Sequence, residues 1–184
     1  DSPMSRGLGD VYKRQIISCV DSRVDPNAIF QTKAGEMLVH RNIANLVPPY
    51  EYLTEHSGTI AAIEFGITAL NIKNIVILGH SGCGGIKNGY HLCKDDKLDE
   101  NTSIANWLKL LLPAYKKLSD QNDKDAIGSL EKISIITSID NLKSYPFIKR
   151  GMETNEIKIF GLWNDIGSGN IHAYNSKTNA FEII

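Results

Sequence analysis

The sequence predicts an α/β fold in which a mainly parallel central β-sheet is flanked by helices. Strand-like runs alternate with segments of helical periodicity along most of the 184 residues, and such alternation is typical of a parallel sheet. The run from Ile75 to Leu78 is apolar without alternation, as expected for a strand buried on both faces. Because no internal repeat or domain boundary interrupts the pattern, we expect one domain.

Five runs bounded by turn or loop residues are predicted strands: Ile16 to Val20, Met37 to Arg41, Asn74 to His80, Lys132 to Ile139 and Ile157 to Trp163. The stretch NIHAYN, which follows the last of them, is a further candidate strand. Three segments are predicted helices: Ser57 to Asn71, Ser103 to Leu118 and Asp140 to Met152. Ser57 is a candidate N-cap, and Pro113 marks a kink or a break.

The composition excludes several classes of protein. Apolar residues make up 42% of the chain and charged residues 22%, which is close to the globular average and argues against disorder. The net charge of -1 and the lack of a basic block predict no nucleic-acid partner. No apolar run approaches the ~20 residues of a membrane span. Three widely separated cysteines do not form a disulfide framework, so we expect a reducing compartment, the cytoplasm.

The first fifteen residues, DSPMSRGLGDVYKRQ, differ from the rest of the chain because they carry no apolar periodicity. Neither a helix nor a strand is readily assigned to them. We therefore expect residues 1–15 to be a non-native or disordered segment, and residues 16–184 to form the single folded domain.

Polar side chains follow two of the predicted strands at the point where each strand ends. Cys19, Asp21 and Arg23 follow the first strand, and His80 and Cys83 follow the strand that begins at Asn74. In α/β folds ligands bind outside the carboxyl ends of the strands. We expect these two groups of side chains to meet at one edge of the sheet.

The stretch GHSGCGG around His80 has two interpretations. It resembles the G-x-S-x-G nucleophile elbow with Ser81 as nucleophile, but Cys83 replaces the final glycine, and nothing around Asp165 and His172 supports them as triad partners. Alternatively, His80 and Cys83 at H-x-x-C spacing bind a metal, with Cys19 as the third ligand. Thiolate and imidazole are ligands that Zn²⁺ prefers, and three of them leave one position for water. The metal interpretation explains more of the residues.

The stretches CVDSRVDP and GHSGCGG resemble the paired motifs of the β-class carbonic anhydrases, closest to their plant-like and bacterial open-site group. The resemblance extends from Ile16 to about residue 174. It implies one zinc ion per chain, held by Cys19, His80 and Cys83, with Asp21 and Arg23 as the catalytic dyad. In that family zinc-bound hydroxide attacks carbon dioxide, giving bicarbonate and a proton, and the members are homodimers or larger homo-oligomers.

The same resemblance implies a substrate pocket formed by Leu38, Ile43, Phe65 and Gly84. Members of the family with a closed site carry a tryptophan three residues before the first cysteine ligand, where this chain has Ile16. We therefore expect Asp21 to stay off the metal. Two alternatives remain open: hydrolysis of carbonyl sulfide or carbon disulfide on the same scaffold, and a non-catalytic zinc-binding protein, against which the intact dyad argues.

Overall fold

A computed structural model describes residues 14–52, 57–98 and 101–184. Its central sheet has six strands: β1 (Arg14–Cys19), β2 (Met37–Asn42), β3 (Asn74–His80), β4 (Lys158–Asn164), β5 (Ile171–Asn175) and β6 (Ala180–Ile183). The strand order is β2-β1-β3-β4-β5-β6. Strands β1 to β4 are parallel to one another, whereas β5 is antiparallel to both β4 and β6. The predicted fold class is confirmed.

The described residues form seven α-helices around this sheet: α1 (Pro26–Ile29), α2 (Gly58–Glu64), α3 (Gly84–Lys94), α4 (Ser103–Leu108), α5 (Leu112–Tyr115), α6 (Ala126–Lys143) and α7 (Pro146–Glu153). Helix α2 continues into a π-helical segment, Phe65–Ala69, and short 3-10 turns cover Ile43–Asn45, Tyr50–Tyr52 and Lys109–Leu111. No helix in these ranges is both long and apolar enough to span a membrane.

Strand β1 lies in the middle of the parallel part of the sheet, between β2 and β3. Residues from Gln15 to Cys19 are all buried, as expected of a strand that is covered on both faces of a parallel sheet. Arg14 and Gln15, which were expected to belong to the non-native segment, therefore lie in a strand of the sheet. The remaining residues of the segment expected to be non-native, 1–13, lie outside the described residues.

The strand predicted from Lys132 to Ile139 is wrong, because these residues lie within helix α6. Their β-branched side chains favour a strand by local propensity. Ile135, Ile139 and Leu142 nevertheless recur at helical spacing and are buried in one apolar cluster with strand residues. Tertiary packing on the sheet therefore overrides the local preference.

Two predicted helices are shorter or more broken than the sequence indicates. The segment predicted from Asp140 to Met152 is divided, because α6 ends at Lys143 and α7 begins at Pro146, whose ring is tolerated at the first helical position. The segment from Ser103 to Leu118 is divided into α4, a 3-10 turn and α5. The N-cap predicted at Ser57 is confirmed, since its hydroxyl accepts a hydrogen bond from the Ile60 N–H at 3.4 Å.

The strand order places a topological switch point between β1 and β3. From β1 the chain moves to one side to form β2, and then crosses to the other side to form β3. At such a point the connections leave the sheet in opposite directions and open a crevice at the carboxyl ends of the strands. The last residues of β1 and β3 are Cys19 and His80, so the crevice begins at these two side chains.

Replacing Gly161 of β4 with alanine is expected to lower the free energy of unfolding by about 1–3 kcal/mol. A Cβ atom at this position would lie 2.8 Å from side-chain carbons of Ile135 and Ile139 on α6. Gly58→Ala is the matched control, since a Cβ there meets nothing within 4 Å and alanine favours the helix. Urea unfolding followed by circular dichroism measures both. Equal stabilities for the two variants would contradict the close packing of α6 on β4.

Candidate metal centre

Three ligand-type side chains converge at the switch point. Cys19 ends β1, His80 ends β3, and Cys83 is the residue immediately before α3. One potential ligand atom from each residue lies within 4.8 Å of the other two, and the two sulfur atoms are 3.8 Å apart. All three residues are buried. The sequence prediction that these residues meet at one sheet edge agrees with this geometry.

The turn between His80 and Cys83 depends on glycine. Gly82 has φ of +64°, a left-handed conformation that glycine adopts without steric cost. Gly85, one turn further on, packs closely against the Ile43–Asn45 segment, because a Cβ atom there would lie 3.2 Å from the Ala44 nitrogen. These glycines let the chain reverse direction within three residues, so that His80 and Cys83 face the same point.

The imidazole of His80 is oriented for a ligand by its own backbone neighbour. Its Nδ1 lies 3.0 Å from the carbonyl oxygen of Ser81, which fixes Nδ1 as the donor. The other ring nitrogen, Nε2, is buried and has no hydrogen-bond partner. Burial favours the neutral ring, but the Cys19 sulfur and the Ser81 carbonyl outweigh this effect and raise the His80 pKa. A buried nitrogen without a partner costs free energy unless a ligand satisfies it.

The two sulfur atoms have opposite tendencies to ionise. The hydrogen bond from Cys83 holds the pKa of the Cys19 thiol well below its usual range. The pKa of Cys83 is raised, because it faces the Cys19 sulfur and because burial disfavours a second thiolate. Two adjacent thiolates are therefore unfavourable without a counter-charge. A divalent cation held by both sulfur atoms would supply that charge, because thiol ligands bind metals in their deprotonated form.

The donor set fits a zinc ion. Two thiolates and one imidazole are ligands that Zn²⁺ binds, and three protein ligands are typical of a catalytic site with one open position. The unpartnered Nε2 of His80 supplies an independent sign that a ligand atom belongs here. Within the described ranges, Cys19, His80 and Cys83 form the group whose ligand atoms lie close enough together to hold one metal ion.

Asp21 and Arg23 form a bidentate ion pair beside this group. The Arg23 Nε donates to Asp21 Oδ1 at 2.9 Å, and its Nη2 donates to Oδ2 at 2.7 Å. The Arg23 backbone N–H also donates to Oδ1, and Nη2 reaches the Gly82 carbonyl at 3.1 Å. The side-chain hydrogen bonds from Arg23 hold the pKa of the Asp21 carboxyl well below its usual range. Both carboxylate oxygens are thus engaged by Arg23, and the pair is tied to the turn that precedes Cys83.

A comparison with known protein families gives a match to the carbonic anhydrase family over residues 15–171. The chain is 39% identical over 159 residues to beta carbonic anhydrase 3 of Arabidopsis thaliana. The chain belongs to the β-carbonic anhydrase family. The family predicted from the sequence is therefore confirmed.

The similarity covers most of the chain. The Arabidopsis match spans 84% of this chain but 61% of that relative, so the chain spans less than two thirds of its length. A carbonic anhydrase of Helicobacter pylori strain J99 is 38% identical over 174 residues, which are 91% of this chain and 78% of that protein. The β-carbonic anhydrase CcaA has a TM-score of 0.82 and 30% identity, covering 95% of this chain and 84% of that one. One tetrameric β-carbonic anhydrase of Sordaria macrospora has a TM-score of 0.71 and 26% identity, covering 90% and 83%.

The four residues predicted to form the substrate pocket lie in different surroundings. Ile43 lines an apolar cleft of about 490 Å³ that it shares with Val20, the residue after Cys19. Gly84 begins α3 and faces open space, because a Cβ there would meet nothing within 4 Å. Leu38 lies half-buried in β2, and Phe65 is 53% exposed at the start of the π-helical segment. Neither Leu38 nor Phe65 is among the residues that line the cleft.

The geometry argues against the alternative of a serine nucleophile. The Ser81 hydroxyl donates directly to Asp165 Oδ1 at 3.1 Å and accepts the Ile166 N–H at 2.8 Å. A catalytic triad requires a histidine between the serine and the acid. His172 instead lies in β5, where its ring contacts Trp163. Ser81 therefore joins two loops at the sheet edge.

Arg41 is a residue of the site that the sequence analysis missed. Its Nε donates to the Cys19 carbonyl at 2.9 Å, and its Nη2 donates to the Asp21 and Val24 carbonyls at 2.7 Å and 2.8 Å. One guanidinium thus holds three carbonyls of the loop that carries the dyad. Its position at the carboxyl end of a predicted strand could have identified it from the sequence, because ligand sites in α/β folds lie at that edge of the sheet.

Replacing Arg41 with lysine is expected to loosen this loop, because an ammonium group lacks the planar fork that reaches three carbonyls. The amide hydrogens of Val20 and Val24 should then exchange faster, by about tenfold if a net ~1.4 kcal/mol of hydrogen bonding is lost. Arg150→Lys on α7 is the control at a surface position. Hydrogen exchange measured by mass spectrometry checks this, and unchanged protection of residues 20–24 would contradict the role of Arg41.

Proposed function

We propose that this chain catalyses the reversible hydration of carbon dioxide to bicarbonate and a proton, with one zinc ion held by Cys19, His80 and Cys83. The observation that carries the proposal is the convergence of three buried ligand atoms beside a carboxylate whose two oxygens are both held by Arg23. Membership of the β-carbonic anhydrase family supports it.

Each ligand is held ready by the chain itself. When bound, zinc lowers the pKa of a water molecule toward neutrality and so supplies the nucleophile at physiological pH. Cys19 and Cys83 provide negative charge that balances the cation. His80 presents Nε2, because the Ser81 carbonyl engages Nδ1. Burial of all three side chains excludes bulk water from the ligand atoms.

Asp21 acts on the attacking oxygen as a hydrogen-bond acceptor. The Arg23 ion pair keeps its carboxylate ionised, and an ionised carboxylate accepts hydrogen bonds but donates none. It therefore orients the nucleophile by accepting its proton in a hydrogen bond, which directs a lone pair at the carbon of carbon dioxide. Because both oxygens face Arg23, Asp21 is also kept from becoming a fourth ligand. We accordingly propose an open site.

Carbon dioxide reaches this place through apolar surroundings. The cleft that includes Val20 and Ile43 also includes Trp107, and few polar atoms line it. Ile43 also packs against the buried cluster that contains Cys19 and Cys83, which supports a route from the cleft to the ligands. An apolar wall suits a non-polar substrate better than it suits bicarbonate, so it favours release of the product.

We further propose that the enzyme is a homodimer or a larger homo-oligomer. Phe65, predicted as a pocket residue, is 53% exposed and does not line the cleft of its own chain, and the exposed Val20 and Ile104 border that cleft. Leu38 and Phe65 would contribute to a pocket across an interface with a second copy. The tetrameric relative from Sordaria macrospora supports assembly.

A cytoplasmic location is proposed on the basis of the thiols. All three cysteines of the chain, Cys19, Cys83 and Cys93, lie within the described residues and are free. Burial raises the pKa of Cys93 to about 11, which makes its thiol unreactive. Free cysteines are typical of a reducing compartment.

The proposal is tested by assaying carbon dioxide hydration and zinc content together, in the parent chain and in Cys83→Ser. The parent should hydrate carbon dioxide with about one zinc per chain, and the variant should lose both, because a hydroxyl replaces a thiolate ligand. Cys93→Ser, which changes a cysteine outside the cluster, should leave both unchanged. Zinc binding with neither hydration of carbon dioxide nor hydrolysis of carbonyl sulfide would support a non-catalytic zinc-binding protein. Hydrolysis of carbonyl sulfide without hydration of carbon dioxide would support the hydrolase alternative.

Replacing Asp21 with asparagine is expected to lower the hydration rate by about 100-fold or more while zinc content stays near one per chain. The amide donates hydrogen bonds and so orients the nucleophile differently. Asp25→Asn is the matched control, because Asp25 caps α1 through the Asn27 N–H and asparagine is an equally good N-cap. Stopped-flow assays at constant zinc loading measure both. Equal rates in Asp21→Asn and the parent would overturn the role of Asp21.

A further inference from the structure

A buried carboxylate lies behind the metal centre and has no part in the mechanism above. Glu131 is the sixth residue of α6, and 3% of its surface is exposed. Its Oε1 accepts a hydrogen bond from the backbone N–H of Cys83 at 3.0 Å. Its Oε2 accepts one from the indole N–H of Trp163, on β4, at 3.2 Å. One carboxylate therefore joins a helix, the turn that carries a ligand and a strand of the sheet.

A buried carboxylate is costly unless hydrogen bonds or opposite charges compensate for lost water. Among the described residues, no Lys or Arg forms an ion pair with Glu131, and Lys132 instead lies over the Trp163 ring at 4.3 Å. Burial raises the pKa of Glu131, and the N–H groups of Cys83 and Trp163 oppose that rise because they stabilise the carboxylate. Because burying this carboxylate is unfavourable, we infer that its two hydrogen bonds have a specific structural role.

The hydrogen bond to Cys83 acts on the direction of its sulfur. Cys83 is the N-cap residue of α3, so its N–H lies outside the hydrogen bonds of that helix. The nitrogen and the Cβ atom are attached to the same Cα, so fixing the direction of the N–H restricts the direction in which the Cβ–Sγ bond points. Gly82, just before it, has no side chain that could hold the N–H of Cys83 in place.

We propose that Glu131 is a positioning residue of the metal centre, which holds the Cys83 turn so that its sulfur meets the Cys19 sulfur and the His80 imidazole. The inference rests on the zinc site proposed above. Through Trp163, which pairs with Gly79 of β3, the same carboxylate ties the turn to the strand next to the one that carries His80. Glu131 thus sets Cys83 and His80 in a fixed relation.

The role requires two acceptor atoms. Each oxygen of Glu131 faces one N–H donor, so a glutamine of the same shape would turn its amide group, a donor, toward one of them. If the amide faced Cys83, the turn would lose its hydrogen bond. If it faced Trp163, two donors would be forced together. Removing the indole N–H by Trp163→Phe relieves this conflict, and the glutamine carbonyl is then free to accept from Cys83.

The experiment compares the parent with Glu131→Gln, Trp163→Phe and the double variant. Zinc affinity is measured by competition with a chromophoric chelator, and the thiolate-to-cobalt absorption band of the cobalt-substituted protein reports on ligand geometry. Glu131→Gln should bind zinc about tenfold more weakly and shift the cobalt band. Trp163→Phe removes the hydrogen bond to β4 but keeps the one from Cys83, so it should weaken zinc binding and shift the cobalt band less than Glu131→Gln does, and the double variant should recover to the level of Trp163→Phe.

Thermal unfolding of the zinc-free proteins separates positioning from stability. A Glu131→Gln protein that is less stable, but that binds zinc with the affinity of the parent and has an unshifted cobalt band, would overturn the inference. A double variant that binds zinc no more tightly than Glu131→Gln would also overturn it. If Glu131→Gln does not fold, the double variant carries the test, and a tenfold loss of zinc affinity there would also overturn it. Failure of the parent to bind zinc would instead count against the proposed function, before any variant is compared.

Discussion

The parallel pairing of β1 with β3 is the constraint on which the rest of the structure depends. Its register aligns Ser18 with Leu78, so the ends of both strands reach the same edge of the sheet. A shift of one residue would turn every side chain of β1 to the opposite face and remove Cys19 from the site. The apolar side chains that bury β1 on both faces fix this register, and the positions of Cys19 and His80 follow from it.

Two arginines and one glutamate convert this edge into a defined site. Arg41 fixes the backbone of the dyad loop through three carbonyls, and Arg23 fixes the side chain of Asp21. Glu131 holds the backbone on the opposite side, at Cys83. On the side of β1, the guanidinium groups of Arg23 and Arg41 therefore donate hydrogen bonds to a carboxylate and to backbone carbonyls. On the side of α3, the Glu131 carboxylate accepts a hydrogen bond from a backbone N–H. The ligands between them are positioned by charged hydrogen bonds, which are stronger than neutral ones.

The fold class and the convergence of Cys19, His80 and Cys83 could be predicted from the sequence because both depend on local patterns. Each of the three residues ends or follows an apolar run, and their residue types indicate a metal site. The isoleucines between Lys132 and Ile139 are compatible with either a strand or a helix. The region could not be assigned correctly from the sequence, because what decides it is packing against glycines of the sheet, and that packing is visible only in the structure. The contacts of Arg41 and Glu131 could not be predicted, because their partners are distant in sequence and most of them are backbone groups, which leave no mark in residue identity.

The sequence separation of the ligands has a consequence for how the protein matures. Cys19 and Cys83 lie 64 positions apart in the chain, and closing a loop of that length in an unfolded chain costs entropy that increases with its length. Before the sheet forms, a nascent chain offers only the neighbouring His80 and Cys83, two ligands of the three. When β1 pairs with β3, their buried backbone and apolar contacts compensate for the entropy that is lost on closing this loop. The complete ligand set therefore exists only in a chain whose sheet has already assembled.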